Sequence, residues 1–365
     1  MNKRLQLLIL LGLMILIILL IVFNQDRLMA MLQKTNDGTD LEEEWNIPIT
    51  REATADMEDV ALDDAIYYTE RGRLYAQSLN NEPLWDIALP GEISLKANNN
   101  RILAVDASVG NIYLLDLTGQ PVASLLGLGQ IDSFQLLESN QIVIVPTSNK
   151  EIRLYDETLK LISTLAIPSG TVLSYHVSLE YDRLAVLTLE DADGALQTSV
   201  VLYNLKGGAL QVINRDEIAI AAYTYRDEIF VVIPSGIVVY KEMLRRPVQY
   251  EELNNVRSTA FYDDILYMET GSANSVAGDI FLTAYSFKDR EVQFDKQLTN
   301  NYDKIVAQGN QILTYSKNRL IIQTMGGEMV LDKTYPVPIR KADILPDGRI
   351  LLVFADRITL NLLKH

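Results

Sequence analysis

The sequence contains no cysteine and only two histidines, His176 and His365. Without cysteine the chain cannot form disulfides, thiol nucleophiles, iron–sulfur clusters or c-type haem. Two histidines at distant positions disfavour a histidine-based metal site or catalytic triad. The G-x-S-x-G and H-E-x-x-H motifs of serine hydrolases and zinc peptidases are missing as well. From these absences we expect no catalytic residues, no bound metal and no cofactor.

Basic residues are also scarce relative to acidic ones, 32 against 48, so the formal net charge is −16. Nucleic acids and anionic lipid surfaces are bound through basic patches that neutralise phosphate charge. We therefore expect no nucleic-acid partner. The pairs Arg245-Arg246 and Arg340-Lys341 are candidates for local anion or partner contacts, although such surface pairs are usually only solvated.

A short signature is present eight times: an acidic, amide or glycine residue, one variable residue, and an aliphatic residue that opens an apolar run. It reads DDAI at 63–66 and YDRL at 181–184, for example. Its aliphatic positions, which are 36 to 47 residues apart, are Ile66, Ile102, Ile142, Leu184, Ile229, Ile265, Ile312 and Ile350. Self-similarity at this period indicates a solenoid, a propeller or another array.

Each repeat contains several short apolar runs separated by turn residues, which favours strands over helices. The second repeat shows four of them, at 93–97, 101–107, 111–117 and 121–128. Four strands in about forty residues make one propeller blade. The sequence therefore predicts an all-β, eight-bladed β-propeller.

The last repeat is one strand short, because only three apolar runs follow residue 340. Trp45–Thr50 resembles the outer strand at 82–89, which also combines a tryptophan with alternating aliphatic residues. We expect Trp45–Thr50 to complete the eighth blade, since an unclosed ring would expose a sheet edge. The predicted propeller spans residues 45–365, and both tryptophans fall in its outer strands.

The runs GNIYLLDLTGQPV at 110–122 and RLYAQSLNNEPLW at 73–85 resemble the quinoprotein-like (PQQ/WD40-like) propeller repeat. The whole chain resembles uncharacterised membrane-anchored propellers of low-GC Gram-positive bacteria, and more distantly the propeller lipoprotein that scaffolds outer-membrane assembly. Quinoprotein dehydrogenases bind their cofactor between a tryptophan floor and a disulfide of adjacent cysteines. This chain has no cysteine, so the resemblance implies the fold without the cofactor.

The segment Leu5–Phe23 is long and apolar, with Gln6 as its one polar side chain. Nineteen helical residues at about 1.5 Å each would cover a bilayer core. We expect an uncleaved transmembrane helix between a cytoplasmic tail at 1–4 and a juxtamembrane linker at 24–44. A signal peptide is the alternative, but the flank offers no small-x-small cleavage site.

Positive charge on the N-terminal side of this segment, from Lys3 and Arg4, favours a cytoplasmic N-terminus. The propeller would then lie outside the cytoplasmic membrane. Because Arg27 and Lys34 lie on the other side, a cytoplasmic propeller remains the alternative.

Few residues stand out as binding candidates. His176 falls on a predicted innermost strand, where it is either a channel-facing ligand or a hydrogen-bonded structural histidine. Asp191–Gly194 begins like a calcium loop but lacks the closing glutamate, so a hairpin turn is favoured. The long inserts Glu190–Ser199 and Glu269–Asp279 are better placed to bind, because propeller loops project from the ring faces. Glu269 and Asp279 bound the second insert.

These features together predict a membrane-anchored propeller that acts as a non-catalytic scaffold for an envelope protein, bound through its face loops. One alternative is an envelope glycan-active enzyme with channel-lining carboxylates. Another is a ligand-binding sensor. Two carboxylates facing each other across a pocket would favour the enzyme, and scattered carboxylates the scaffold.

Overall fold

The structure, a computed structural model, describes residues 39–48, 60–61, 65–98, 100–192, 194–271, 279–298 and 302–364. Every regular element in these ranges is a β-strand. Within the same ranges, no helix has the length and hydropathy needed to cross a membrane. The predicted transmembrane helix at 5–23, the tail before it and most of the linker lie outside the described residues.

The strands form eight four-stranded sheets, which are the blades of a propeller. Blade 1 is built from β2 (Val60–Ala61), β3 (Ala65–Glu70), β4 (Arg73–Ser78) and β5 (Pro83–Ala88), and blade 2 from β6 (Ile93–Ala97), β7 (Ile102–Asp106), β8 (Asn111–Leu115) and β9 (Pro121–Leu125). Blade 3 is built from β10 (Ile131–Leu136), β11 (Ile142–Pro146), β12 (Glu151–Tyr155) and β13 (Leu161–Ala166), and blade 4 from β14 (Thr171–Ser178), β15 (Arg183–Ala192), β16 (Ala195–Asn204) and β17 (Ala209–Arg215). The predicted all-β, eight-bladed fold is confirmed.

Blade 5 is built from β18 (Ala221–Tyr225), β19 (Glu228–Ile233), β20 (Gly236–Lys241) and β21 (Pro247–Glu252), and blade 6 from β22 (Ser258–Tyr262), β23 (Ile265–Gly271), β24 (Ile280–Ser286) and β25 (Glu291–Leu298). Blade 7 is built from β26 (Lys304–Gln308), β27 (Gln311–Tyr315), β28 (Arg319–Thr324) and β29 (Met329–Thr334), and blade 8 from β30 (Lys341–Ile344), β31 (Ile350–Val353), β32 (Arg357–Lys364) and β1 (Asp40–Pro48). We name the strands of each blade A to D in this order. The blade end with the A–B turns is the A–B face, and the opposite end is the B–C face.

The B strands are the centre of each blade, and their composition explains why. ILAVD of β7 and IVIVP of β11 are buried at every position, as expected for strands covered on both faces. Outer strands such as β5 show instead an alternation of exposed and half-buried residues, since only one of their faces packs. Apolar side chains between neighbouring blades form the core.

The repeated polar signature lies at the A–B turns. Asn140 and Asp182 adopt positive φ angles of 64° and 54° there, which asparagine and aspartate tolerate better than most residues. Asn140 also links two blades, because its Oδ1 accepts a hydrogen bond of 2.9 Å from Nδ2 of Asn98. The signature therefore specifies the turn and part of the contact between blades.

The chain divides into two units: Glu43–Leu362, which holds the propeller, and a smaller unit that includes residues 39–42 and 363–364 of the described ranges. In the smaller unit, Lys364 forms an ion pair with Glu42. Within the propeller unit, Trp45 and Ile47 of β1 share a buried cluster with Ile66 and Tyr68 of blade 1. Blade 8 thereby packs against blade 1. The predicted closing strand Trp45–Thr50 overlaps β1 as far as Pro48, and its last two residues lie outside the described ranges.

The D strands dock on the following blade. The register between strands C and D shifts by one residue in each of blades 1 to 7. Next to the register shift of blade 1, Trp85 Nε1 donates a 2.9 Å hydrogen bond to the Leu117 carbonyl in the C–D turn of blade 2. Side chains at the same position repeat the contact: Ser163 to the Leu205 carbonyl (3.0 Å), Gln211 to that of Leu244 (2.8 Å) and Gln249 to that of Arg290 (3.0 Å).

Two predicted loops are corrected by the structure. In blade 4, Glu190–Ser199 is a hairpin rather than a loop, because β15 and β16 stay paired out to Ala192 and Ala195. In blade 6, Glu269 belongs to β23, which continues to Gly271. Polar residues extend both ladders, so the end of the apolar run did not mark the end of the strand.

Candidate functional site

A cavity of about 340 Å³ opens at the A–B face, where the inner strands of blades 3 to 6 end. We call it the A–B pocket. Its lining comes from Gln135–Glu138 after β10, His176–Tyr181 at the end of β14, Thr224 and Tyr225 of β18, and Phe261 and Asp264 around the end of β22. The pocket thus collects side chains that lie more than a hundred residues apart in the chain.

His176 forms part of the pocket wall and bridges blades 4, 5 and 6. Its ring meets Tyr223 and Phe261 edge to face, with centroids 5.2 Å and 5.0 Å away. Nδ1 accepts a 3.2 Å hydrogen bond from the backbone N–H of Thr224. Burial lowers the pKa of His176 to about 4, so the imidazole is neutral at pH 7. Since Nδ1 is an acceptor, the ring hydrogen resides on Nε2.

Aromatic rings fix the floor of the pocket. Phe261 stacks on Phe287 with centroids 5.1 Å apart, and Phe287 stacks on Phe230 of the blade 5 core at 4.0 Å. The Tyr223 hydroxyl is held by Thr259 Oγ1 at 2.8 Å. Rings packed in this way have little rotational freedom, so the floor is preorganised.

The rim is acidic. Glu138, Glu180 and Asp264 are the ionisable aliphatic side chains of the lining, which includes neither lysine nor arginine. The Tyr181 hydroxyl donates a hydrogen bond to the Glu180 carboxylate, and this contact raises the pKa of Tyr181. Burial raises the pKa of Tyr225, and nearby Asp264 adds to the effect.

Arg226 is one cation beside this rim; Arg183, whose Nη1 donates to the Tyr181 carbonyl at 3.2 Å, is another and is ion-paired with Glu242. The Arg226 guanidinium lies 5.1 Å from the Tyr225 ring centroid, and its contact with the Tyr181 hydroxyl raises the pKa of the arginine. The arginine therefore lies over the Tyr225 ring and is hydrogen-bonded to the Tyr181 hydroxyl, beside the lining.

The sequence-predicted residues are not brought together. Glu269 is 3% exposed and lies opposite Ser258, at the start of β22, whereas Phe261 in the pocket lies near the end of that strand. Arg257 Nη1 approaches Glu269 Oε1 at 3.5 Å, while burial raises the pKa of the carboxyl. Asp279 accepts a 3.1 Å hydrogen bond from Gln297. Of the three candidates, His176 alone lines the A–B pocket.

The extended hairpin of blade 4 is a second surface feature, on the B–C face. Its strands have ten residues each, against five in the corresponding strands of blades 2 and 3. Leu196 near the tip is 53% exposed, and Ile218 is 46% exposed. Thr198 ties the Ile218 loop to the hairpin, donating a 2.6 Å hydrogen bond to the Glu217 carbonyl.

At Asp191–Gly194, the candidate start of a calcium loop, the Gly194 N–H donates to Asp191 Oδ1 at 2.8 Å. That bond engages the carboxylate within the turn itself, and Gly194 has a φ of +85°. Across the described ranges, no group of three or more His, Asp or Glu side chains is placed to hold a metal ion.

The sequence pattern did not single out Glu138, Glu180 and Asp264 of the rim, nor Arg226 beside it. The usable signal was local: in three neighbouring copies of the turn signature, YDRL, RDEI and YDDI, each of the first three residues is charged or aromatic, which is true of no other copy. Their convergence on one pocket could not be predicted, since it depends on the ring geometry.

Many solved structures resemble the chain in fold. The crystal structure of BamB from Moraxella catarrhalis matches with a TM-score of 0.57 and 13% sequence identity, covering 88% of this chain and 99% of that one. The C-terminal WD40 domain of Sif2 matches with a TM-score of 0.62 and 9% identity, covering 88% and 97%. The predicted WD40/PQQ-like propeller is confirmed. None of the curated proteins compared with the chain matches it. A family model matches residues 34–360, and the chain therefore belongs to the family of unknown function DUF5711.

Proposed function

We propose that this propeller is a non-catalytic scaffold that binds another protein of the cell envelope. The extended hairpin of blade 4 is the observation that carries the proposal. Its strands are paired out to Ala192 and Ala195, so the two strands are already held together before any partner arrives. Preordered surfaces lose little conformational entropy on binding.

The hairpin offers the partner an apolar contact. Leu196 and the neighbouring Ile218 are both about half exposed, although isoleucine and leucine are usually buried. The ion pair between Arg215 and Glu217 (2.9 Å) lies beside them and gives the patch a polar edge. An apolar centre with a polar rim is typical of protein interfaces.

A photocrosslinking residue at Leu196 tests the proposal in native membranes. We expect a discrete adduct with one protein, identified by mass spectrometry. The matched control places the crosslinker at Leu161, which is 50% exposed on the outer strand β13. Similar adducts from both positions, or none from Leu196, would contradict a partner bound at the hairpin.

We place this scaffold outside the cytoplasmic membrane, anchored by the predicted helix at 5–23. The support is the uncharged apolar length of that segment, the preceding Lys3 and Arg4, and the absence of cysteine. Attachment to the membrane by this helix, and not by the propeller surface, also agrees with the net charge of −16, because an acidic surface is repelled by anionic lipid.

A glycan-active enzyme is the second candidate, because the A–B pocket gathers three carboxylates. A general acid needs a desolvated carboxyl with a raised pKa, whereas Glu138 and Glu180 are exposed at the rim. Hydrolysis of purified peptidoglycan by the full chain, abolished by Asp264→Asn, would favour the enzyme. We expect no hydrolysis.

A further inference from the structure

We propose that the A–B pocket binds an arginine side chain from an extended segment of a partner protein. The inference rests on the proposed protein-binding function and adds a second site, on the face opposite the hairpin. Four features carry it: the volume of the cavity, its aromatic floor, the charge of its rim and the hydrogen on His176 Nε2.

The volume and floor suit one long, flat side chain. About 340 Å³ is near the lower end of ligand pockets and holds one side chain with its adjoining peptide groups. Phe261 and His176 present rings whose packing is fixed from behind. A guanidinium stacks on such rings, and its weak hydration makes burial less costly than for the ammonium group of lysine.

The rim supplies unneutralised negative charge. Glu138 has no hydrogen bond or ion pair with any residue of the described ranges. Glu180 accepts a hydrogen bond from the Tyr181 hydroxyl, and Asp264 lies beside Tyr225. Neutral phenols leave the carboxylate charge in place. Arg226 provides one positive charge beside these three carboxylates, and the charge of nearby Arg183 is balanced by its 3.0 Å ion pair with Glu242, so the site favours an added cation.

His176 distinguishes a peptide from a free cation. Thr224 occupies Nδ1, which leaves the Nε2 hydrogen as a donor at the pocket wall. A cation has no acceptor for this donor, whereas a peptide has a backbone carbonyl. The pocket therefore matches an arginine for its carboxylates together with a carbonyl for His176.

A peptide library with randomised flanks and one fixed central residue provides the test. Binding to the purified full-length chain is compared for arginine, lysine, citrulline and glutamate at the centre. We expect the arginine set to bind at least tenfold more tightly than the citrulline set, and the preference to weaken with salt. Equal binding of these two sets would overturn the proposal, as would agmatine binding as tightly as the arginine peptides.

Three variants locate the site. Asp264→Asn and Glu138→Gln should each weaken binding of the arginine set about fivefold or more, and Glu92→Gln, at an exposed position on the B–C face, should not. His176→Phe keeps an aromatic ring and removes the donor. It should weaken the arginine and citrulline sets by the same factor, because charge recognition remains. Melting temperatures show that each variant is folded, and unchanged binding by both carboxylate variants would overturn the site.

The two proposals fail separately. Loss of the arginine preference with the Leu196 adduct retained would refute the pocket inference alone. Arginine-peptide binding without an adduct would leave protein binding in place and refute the hairpin as its site. Failure of both experiments would refute the protein-binding function.

Discussion

His176 lies among aromatic rings with its Nδ1 already accepting a hydrogen bond, so protonation is disfavoured twice. Its pKa of about 4 lies below the ordinary value of 6.5. Between these pH values the unfolded chain binds a proton that the folded chain does not. Stability should therefore fall as the pH decreases from 6.5 to 4, by up to about 3 kcal/mol from this group.

His176→Gln tests that linkage, because an amide oxygen can accept the Thr224 hydrogen without titrating. The variant should lose less stability than the wild type when urea unfolding is compared at pH 7 and pH 4.5. Glu269 acts in the opposite direction, since its raised pKa adds stability at low pH, but its contribution cancels between the two proteins. Parallel pH curves would show that His176 is not buried in the neutral form.

Trp85 and Gly119 form the docking contact between blades 1 and 2. A Cβ at Gly119 would lie 2.8 Å from the indole, and its φ is +81°. Gly127 has a similar φ of +70° with nothing near its Cβ, so Gly127→Ala measures the backbone penalty alone. We expect Gly119→Ala to cost about 1–3 kcal/mol more than this control, from overpacking. In a Trp85→Ala background the excess should vanish, and a persistent excess in calorimetry would contradict the contact.

At the scale of elements, β1 is the strand whose contribution is easiest to isolate. Its alternation buries Ile47 and exposes Asn46. Ile47→Asp would bury an unpaired carboxylate and should cost several kcal/mol. Asn46→Asp adds the same group at an exposed position, where it loses only the 2.6 Å hydrogen bond to Glu43, and should cost about 1 kcal/mol or less. Equal melting temperatures for the two variants would show that β1 does not belong to the packed ring.

Strand patterns in the sequence predicted most of the fold but not the ends of two hairpins. The B strands were evident, since runs such as ILAVD are apolar throughout. At Glu269 and Glu190 the ladder continues through polar residues, where hydropathy alone predicts a loop. The segment between the two strands is therefore shorter than the predicted insert Glu269–Asp279, because β23 ends at Gly271 and β24 begins at Ile280.

For the whole molecule, the repeat period predicted the ring, and the ring in turn determines the site. Glu138 and Asp264 meet at one pocket because the inner strands of four blades converge there. That proximity depends on the number and tilt of the blades, which no local pattern encodes. His176 was predicted from its place on an inner strand, whereas its acidic neighbours required the structure.

The orientation of the propeller across the membrane is tested in cells. Ser169→Cys introduces a single thiol at an exposed position of a chain without cysteine. If the propeller lies outside the cytoplasmic membrane, a membrane-impermeant maleimide should label this variant on intact cells. Labelling only after lysis would instead support the cytoplasmic alternative. The cysteine-free wild type is the control for background.

The position of β1 beside β32 has a consequence for biosynthesis. Seven blades consist of consecutive strands and can assemble as they leave the ribosome, but β1 must wait while residues 49–356 are made. At 5–20 residues per second that delay is roughly 15–60 s. During this delay β32 has not been made, so β1 with Trp45 and Ile47 has no strand to pair with. An unpaired apolar strand can pair with a neighbouring nascent chain. Timely protection of β1 during translation, more than the final stability of the ring, should therefore limit the yield of this protein.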